Sequence, residues 1–263
     1  MSPYNMIGQE LLSDVTEILE KQGRLIELPA DKTIVFVGDT HGDCEATERV
    51  FDRFLNMDHV IVFLGDYVDR GPDSAGNLEL ILQTKLAHSE AVFPLMGNHE
   101  GWAVTTFSPA DFWEQLAPKD EQRIASTLSL LPFAAWHPSG VLALHGALPD
   151  TESIEAIQDV KLGSSDWQRI TWGDWMDAPG TVLDPGALGR PVYGRDAFET
   201  ILNRLGLKAL IRSHQPHAPA YLYEDRCLTI FTSKAYGGTQ RHAALLRSEK
   251  AIRTARDLKL VKI

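Results

Sequence analysis

The chain has 263 residues, 44% hydrophobic and 23% charged, a length that supports one large domain or two small ones with a core big enough to need no disulfides. Its 25 basic and 36 acidic residues leave a formal net charge of -11, which argues against general affinity for nucleic-acid backbones or anionic lipid surfaces, so an anionic substrate needs a local positive focus. Two cysteines, Cys44 and Cys227, exclude a disulfide framework and a four-thiolate zinc module and point to a reducing compartment.

In chain order, MSPYNMIGQELLSDV has no basic region ahead of an apolar run, and no stretch reaches membrane-spanning length. No secretion signal and no membrane partner are expected, and the expected compartment is the cytoplasm. From Gly8 to Lys21, Leu11, Leu12, Val15, Ile18 and Leu19 share one helical face, with Gly23 as the stop. Residues 1–24 thus read as the N-terminal cover of a single domain spanning 1–263.

A short, β-branched apolar run that breaks into Gly, Asp, Asn or His then recurs five times. Thr33 to Val37 runs into GDTHGD, Val60 to Leu64 into GDYVDRG, Ala91 to Met96 into GNHE, Val141 to Leu144 into HGAL, and Lys208 to Ile211 into RSHQ. Amphipathic helices from Cys44 to Leu55 and from Ser74 to Ala87 separate the first three runs, a β-α-β-α-β order that implies parallel pairing with right-handed crossovers. The carboxyl ends of these strands then face one side, where ligands of open α/β sheets gather. Pro179 to Gly189 reads as a surface loop. Leu228 to Thr232 and His242 to Arg247 read as strands joined by a Gly-rich turn, so a second, largely antiparallel sheet is expected toward the C-terminus. The expected fold is α/β, a two-sheet β-sandwich of mixed sheets flanked by helices.

The five strand ends carry Asp39 and His41, Asp66, Asn98, His145 and His214. Carboxylate and amide oxygens mixed with imidazoles, without sulfur, suit borderline divalent metals such as manganese, iron or zinc, and suit them in pairs when one carboxylate bridges. Six ligands are too many for one ordinary site with an open position. Taken singly, each motif reads as a turn former or helix cap; five in register reverse that balance. Asp43 keeps the plain reading, a cap for the helix at Cys44. His59, His88, His137, His217 and His242 have no motif context. Trp167, Trp172 and Trp175 read as packing, with substrate stacking the lesser alternative. Glu100 reads as structural, and Lys234 divides evenly between solvated loop and substrate contact. The thiols read as packing, since Cys44 to Arg49 encloses four residues where cysteine phosphatases have five, and Cys227 has no such arginine.

In order and spacing, GDTHG, GDYVDRG, GNHE, the LHGAL histidine and RSHQ resemble the motifs of the PPP serine/threonine phosphatases within the calcineurin-like metallophosphoesterases, over roughly residues 25 to 240. The resemblance implies one metal on Asp39, His41 and Asp66 and another on Asp66, Asn98, His145 and His214, with manganese the first choice in vitro and iron or zinc as alternatives. It implies in-line attack by a hydroxide held between the metals, with His99 as proton donor to the leaving alkoxide, Asp69 holding His99, and Arg70, Arg190, Asn98 and Tyr236 contacting the substrate. The implied substrates are phosphoserine and phosphothreonine of proteins or peptides, and the expected state is a monomer. TSKAYGG resembles the family's overhanging loop, with Tyr236 at the aromatic position. Lys234 and Ala235 depart from its Pro-Asn pair and Gly237 from its cysteine, so toxin sensitivity and regulatory-subunit grooves do not transfer. Gly101 to Pro109 also differs in length and composition. A symmetrical dinucleoside tetraphosphate hydrolase is the alternative with the same chemistry, and a non-catalytic metal-binding scaffold the alternative of a different class.

Overall fold

A computed structural model describes residues 7–182, 189–238, 240–248 and 250–263. In chain order the main elements are α1 (Gln9–Gln22), β1 (Leu25–Glu27), β2 (Thr33–Val37), α2 (Cys44–Phe54), β3 (His59–Phe63), α3 (Ser74–Ala87) and β4 (Val92–Pro94). They continue with α4 (Pro118–Leu128), β5 (Ala134–His137), β6 (Val141–Leu144), α5 (Ser165–Trp172), β7 (Asp174–Trp175), β8 (Thr181–Val182), β9 (Val192–Tyr193) and α6 (Arg195–Arg204). The last are β10 (Ala209–Arg212), β11 (Tyr221–Leu222), β12 (Cys227–Thr229), β13 (His242–Leu246) and β14 (Lys259–Lys262).

Two sheets face each other, one in the order β14-β13-β2-β3-β4 and the other β1-β5-β6-β10-β12-β11. In the first, β2, β3 and β4 pair in parallel, as β-α-β-α-β requires. Side-chain alternation sends Ile34, Phe36, Val60 and Val62 toward Val141, Ala143, Ala209 and Ile211 of the other sheet. Their neighbours Val35, Val37, Ile61 and Phe63 join the core shared with the helices. Both faces are dry, which is why these strands read as unbroken apolar runs. Helix α2 starts where the Asp43 carboxylate accepts from the Ala46 amide, and α3 where Asp73 accepts from Gly76. Helix α1 covers α3 and α4, burying Leu12, Val15 and Leu19.

Two expectations need correction. The strands before and after the Gly-rich turn near residue 237 do not pair with each other. Strand β12 lies parallel to β10 in one sheet, whereas β13 lies antiparallel to β2 in the other. The turn therefore crosses between sheets, and both sheets are mixed. The second correction concerns Pro179 to Gly189, where Thr181 and Val182 form β8 of a small third sheet with β7 and β9; residues 183–188 lie outside the described part.

Both main sheets aim strand carboxyl ends at one place, because β6 and β10 are also parallel neighbours. The sheets meet there through a bridge between Asp39 and Phe231. A methyl group on Gly38 would overlap the Ile230 carbonyl at this seam. Gly38→Ala is therefore expected to cost roughly 1–3 kcal/mol through overpacking, read as a lower urea midpoint; an unchanged midpoint would show that the seam can open without loss.

Candidate metal centre

The first three motif loops are cross-tied before any ligand is considered. The amides of Thr40 and His41 donate to the Asp66 carbonyl at 3.2 and 2.9 Å, and Gly42 donates to Tyr67 at 2.8 Å. Buried Asn77 donates to Thr40 Oγ1 and to the Tyr67 carbonyl. Glu100, fully buried, accepts from the amides of Asp66, Tyr67 and Gly97, stitching GNHE to GDYVDRG. The structural reading of Glu100 holds. A side chain on Gly97 would run into Asp66, so the two loops can approach this closely only with glycine there.

The backbone of the site is strained. Among the described non-glycine residues, eight have positive φ, and five of them are His41, Asp66, Asp69, Arg70 and His214. Each such residue costs of order 1–3 kcal/mol, and strain of this kind collects where a side chain must be aimed.

The side chains so aimed set imidazole nitrogens against carboxylate and amide oxygens. His41 Nδ1 lies 2.9 Å from the Val68 carbonyl, so it carries the hydrogen, and its Nε2 lone pair faces Asp39 and Asp66 at 3.7 and 3.6 Å. His145 repeats the pattern, with Nδ1 on the Leu64 carbonyl at 2.8 Å and Nε2 facing Asp66 at 3.4 Å, Asn98 Oδ1 at 3.2 Å and His214 Nδ1 at 3.0 Å. Asp39 Oδ2 and His214 Nε2 are buried without a hydrogen-bond partner. Two overlapping donor groups result, His41–Asp66–His99 and Asp66–His145–His214, with Asp66 common to both. Two carboxylates, an amide oxygen and imidazoles whose second nitrogen is tied to a carbonyl form a set that fits divalent cations.

Ionisation follows burial and crowding. Burial, reinforced by His99, pushes the His41 imidazole down to about 3, and burial beside His145 holds His214 well below its usual value. Burial opposes charge on His145 too, yet Asp66 and Asp39 outweigh it and hold this imidazole at about 9. Asp39 is pushed up to about 7 by burial, while Asp66, equally buried, is held well below the carboxylate range by His145 and His99. A cation among these groups would draw Asp39 back to its charged form.

At the rim, His99 Nδ1 lies 2.6 Å from Asp69 Oδ2, and the other Asp69 oxygen accepts from the Phe112 amide at 2.7 Å. Burial opposes charge on His99, but Asp66 and Asp69 prevail and raise its pKa. Arg70 donates to the Pro109 carbonyl at 2.7 Å, and its charge acts on the Tyr236 hydroxyl. The Tyr236 ring stands 5.3 Å from that of His41. The Arg190 guanidinium stands 5.8 Å from the Trp172 ring, and its charge acts on Asp174 and His214. All eleven residues singled out in the sequence thus border one site.

Of the three tryptophans, Trp167 and Trp175 are buried in packing, while Trp172 is partly exposed against Phe107 and Arg190. His217 lines a neighbouring groove with Leu222 and Arg190 but joins no donor group. Sequence reasoning missed Asp174, whose Oδ1 lies 3.4 Å from His214 Nε2; a carboxylate inside TWGDW was the available signal. It also missed Phe107, whose ring is 4.6 Å from that of His99, and nothing in the local sequence points to it.

Residues 32–218 match the calcineurin-like phosphoesterase family, and the chain belongs to it. It is 29% identical over 245 residues to serine/threonine-protein phosphatase T of Schizosaccharomyces pombe, covering 86% of this chain and 51% of that protein. The chain therefore spans about half the length of that relative. A solved Saccharomyces cerevisiae protein serine/threonine phosphatase, described as similar to human phosphatase PP5, superposes with a TM-score of 0.80 at 20% identity over 97% of this chain and 88% of its own. A putative diadenosine tetraphosphatase shares the fold at a TM-score of 0.56 and 17% identity, over 91% of this chain and 98% of its own. Family membership carries with it a dependence on divalent metal ions.

Removing the Glu100 carboxylate strands three buried amides at the centre of this site. Glu100→Ala is expected to lower stability by about 3 kcal/mol or more, and Glu100→Gln by less, because its amide keeps one acceptor oxygen. Equal losses in urea denaturation would show that a single contact carries the effect.

Proposed function

We propose that this chain hydrolyses phosphate monoesters on serine and threonine side chains of proteins or peptides. The observation that carries this reading is Asp66 shared by two donor groups, one of which includes His99, itself paired with Asp69. Asp39, His41 and Asp66 would hold one divalent cation, and Asp66, Asn98, His145 and His214 the other. When bound, such a pair lowers the pKa of water and neutralises phosphoryl oxygens. Manganese is the proposed metal in vitro, with iron or zinc as alternatives.

The chain's own groups supply the rest. Arg70, anchored through Pro109, and Arg190, beside Trp172, have planar forks suited to phosphoryl oxygens. Asn98 and Tyr236 complete the substrate contacts. His99, paired through Nδ1 with Asp69, keeps Nε2 on the site side, 3.8 Å from Asp66, where it can give a proton to the leaving alkoxide. A serine alkoxide leaves poorly, so this proton matters more than for a phenolate. The cations also provide the local positive focus that a chain of net charge -11 otherwise lacks. The same reading takes residues 1–263 as one catalytic domain, acting as a monomer in the cytoplasm; two free cysteines support a reducing compartment.

Manganese-loaded protein given a phosphoseryl peptide, a phosphotyrosyl peptide and diadenosine tetraphosphate is expected to prefer the first. Preference for the dinucleotide would replace this substrate assignment, and inactivity toward all three and toward p-nitrophenyl phosphate across several metals would favour a scaffold. His99→Asn is expected to slow alkyl phosphate hydrolysis by roughly 10²- to 10⁴-fold and p-nitrophenyl phosphate hydrolysis much less; equal losses would remove His99 as proton donor. Asp66→Asn is expected to lose both bound metal, by elemental analysis, and turnover, and retention of a full metal complement would refute the shared ligand.

A further inference from the structure

Asp43 does more than cap a helix. Its carboxylate accepts from the Ala46 amide at the start of α2, and it also receives the Arg241 fork, Nε on Oδ2 at 2.8 Å and Nη2 on Oδ1 at 2.6 Å. The same Oδ2 accepts the backbone N–H of Lys234 at 3.1 Å. Arg241 Nη2 extends to Glu45 at 2.7 Å. Both Asp43 and Arg241 are buried, at 7% and 9% exposure. A two-point charged contact removed from water is costly to break from one side, because the partner is left buried and uncompensated.

The placement of this contact is what gives it meaning. Lys234 and Arg241 stand at the two ends of the arch that crosses between the sheets, so one carboxylate grips both ends. Between them lies Tyr236, its ring meeting that of His41 edge to face at 5.3 Å and close enough to Arg70 to feel its charge. The base of the arch is secured separately. Thr232 Oγ1 accepts from the Gly38 amide and donates to the His242 carbonyl, and the Thr232 amide donates to the Asp39 carbonyl. Loss of the Asp43–Arg241 contact would therefore free the arch while leaving the sheets and the metal-site residues in place.

Resting on the phosphatase reading for its substrate, we infer that Asp43 and Arg241 are positioning residues. They form a latch that holds Tyr236 beside His41 at the height where a phosphoseryl residue is gripped, without touching that residue themselves. Lys234 then contributes through its backbone, and its side chain is left to solvent.

The test is a coupling measurement with Arg241→Gln, and with Asp43→Asn, which keeps an oxygen for the helix cap, as the second variant should the first fail to fold. In hydrogen exchange, the Lys234 amide is expected to exchange about tenfold faster or more in either variant, with the β13 amides unchanged. For a phosphoseryl peptide, KM is expected to rise about five- to tenfold with kcat within about twofold, and adding Arg241→Gln to Tyr236→Ala is expected to change KM by less than about twofold. Unaltered exchange at Lys234, or an equal KM increase with and without Tyr236, would overturn the latch. The exchange arm needs no substrate, so a wild-type protein inactive on phosphoseryl peptides would sink the phosphatase reading while the latch is still judged on exchange.

Discussion

The structure turns on a deliberate electrostatic mismatch. Around Asp66, imidazole nitrogens, a carboxylate and an amide oxygen converge within 3.0 to 3.4 Å, and Asp39 Oδ2 and His214 Nε2 are buried without a hydrogen-bond partner. A buried charge or orphaned acceptor costs several kcal/mol unless something compensates it, and divalent cations are the compensation that matches these donors. Much of the surrounding structure can be understood as holding this mismatch together. The Val68 and Leu64 carbonyls fix which nitrogen of His41 and His145 is free, and Glu100 binds the loops so that Asp66 cannot relax away.

The fold supplies the necessary rigidity by ending parallel strands of two sheets at one point. A single sheet would place the GDTHGD, GDYVDRG and GNHE loops side by side but leave His145 and His214 without a support. The second sheet brings them in from the opposite face, and the Asp39–Phe231 bridge locks the two together. Left-handed backbone at His41, Asp66, Asp69, Arg70 and His214 is the local cost of turning each strand end inward within one or two residues. The dry core between the sheets, built from alternating strand residues, provides the stability against which that strain is held.

Chemistry at the rim depends on longer connections than chemistry at the centre. The centre is built almost wholly from strand ends, while the rim borrows the Pro109 carbonyl for Arg70, the Phe107 ring for His99, and the crossing arch for Tyr236. The donor cluster is thus set by strand ends and its rim by loops.

What the sequence alone determined was the set of strand-end motifs and their β-α-β-α-β order, because each motif is announced locally by an apolar run breaking into Gly-Asp, Gly-Asn or a histidine; the six polar residues at those ends are the ones proposed as ligands. The Asp43 cap was legible for the same reason. Only the tertiary structure decided which sheet each C-terminal strand joins, since β12 and β13 have similar patterns yet pair with β10 and β2, elements far away along the chain. It alone showed that Asp174 meets His214 and that Asp43 meets Arg241 across 198 positions. Side-chain period reveals whether a strand is buried, and turn chemistry reveals where it ends, but neither encodes a partner; that choice is made by the packing of the whole chain.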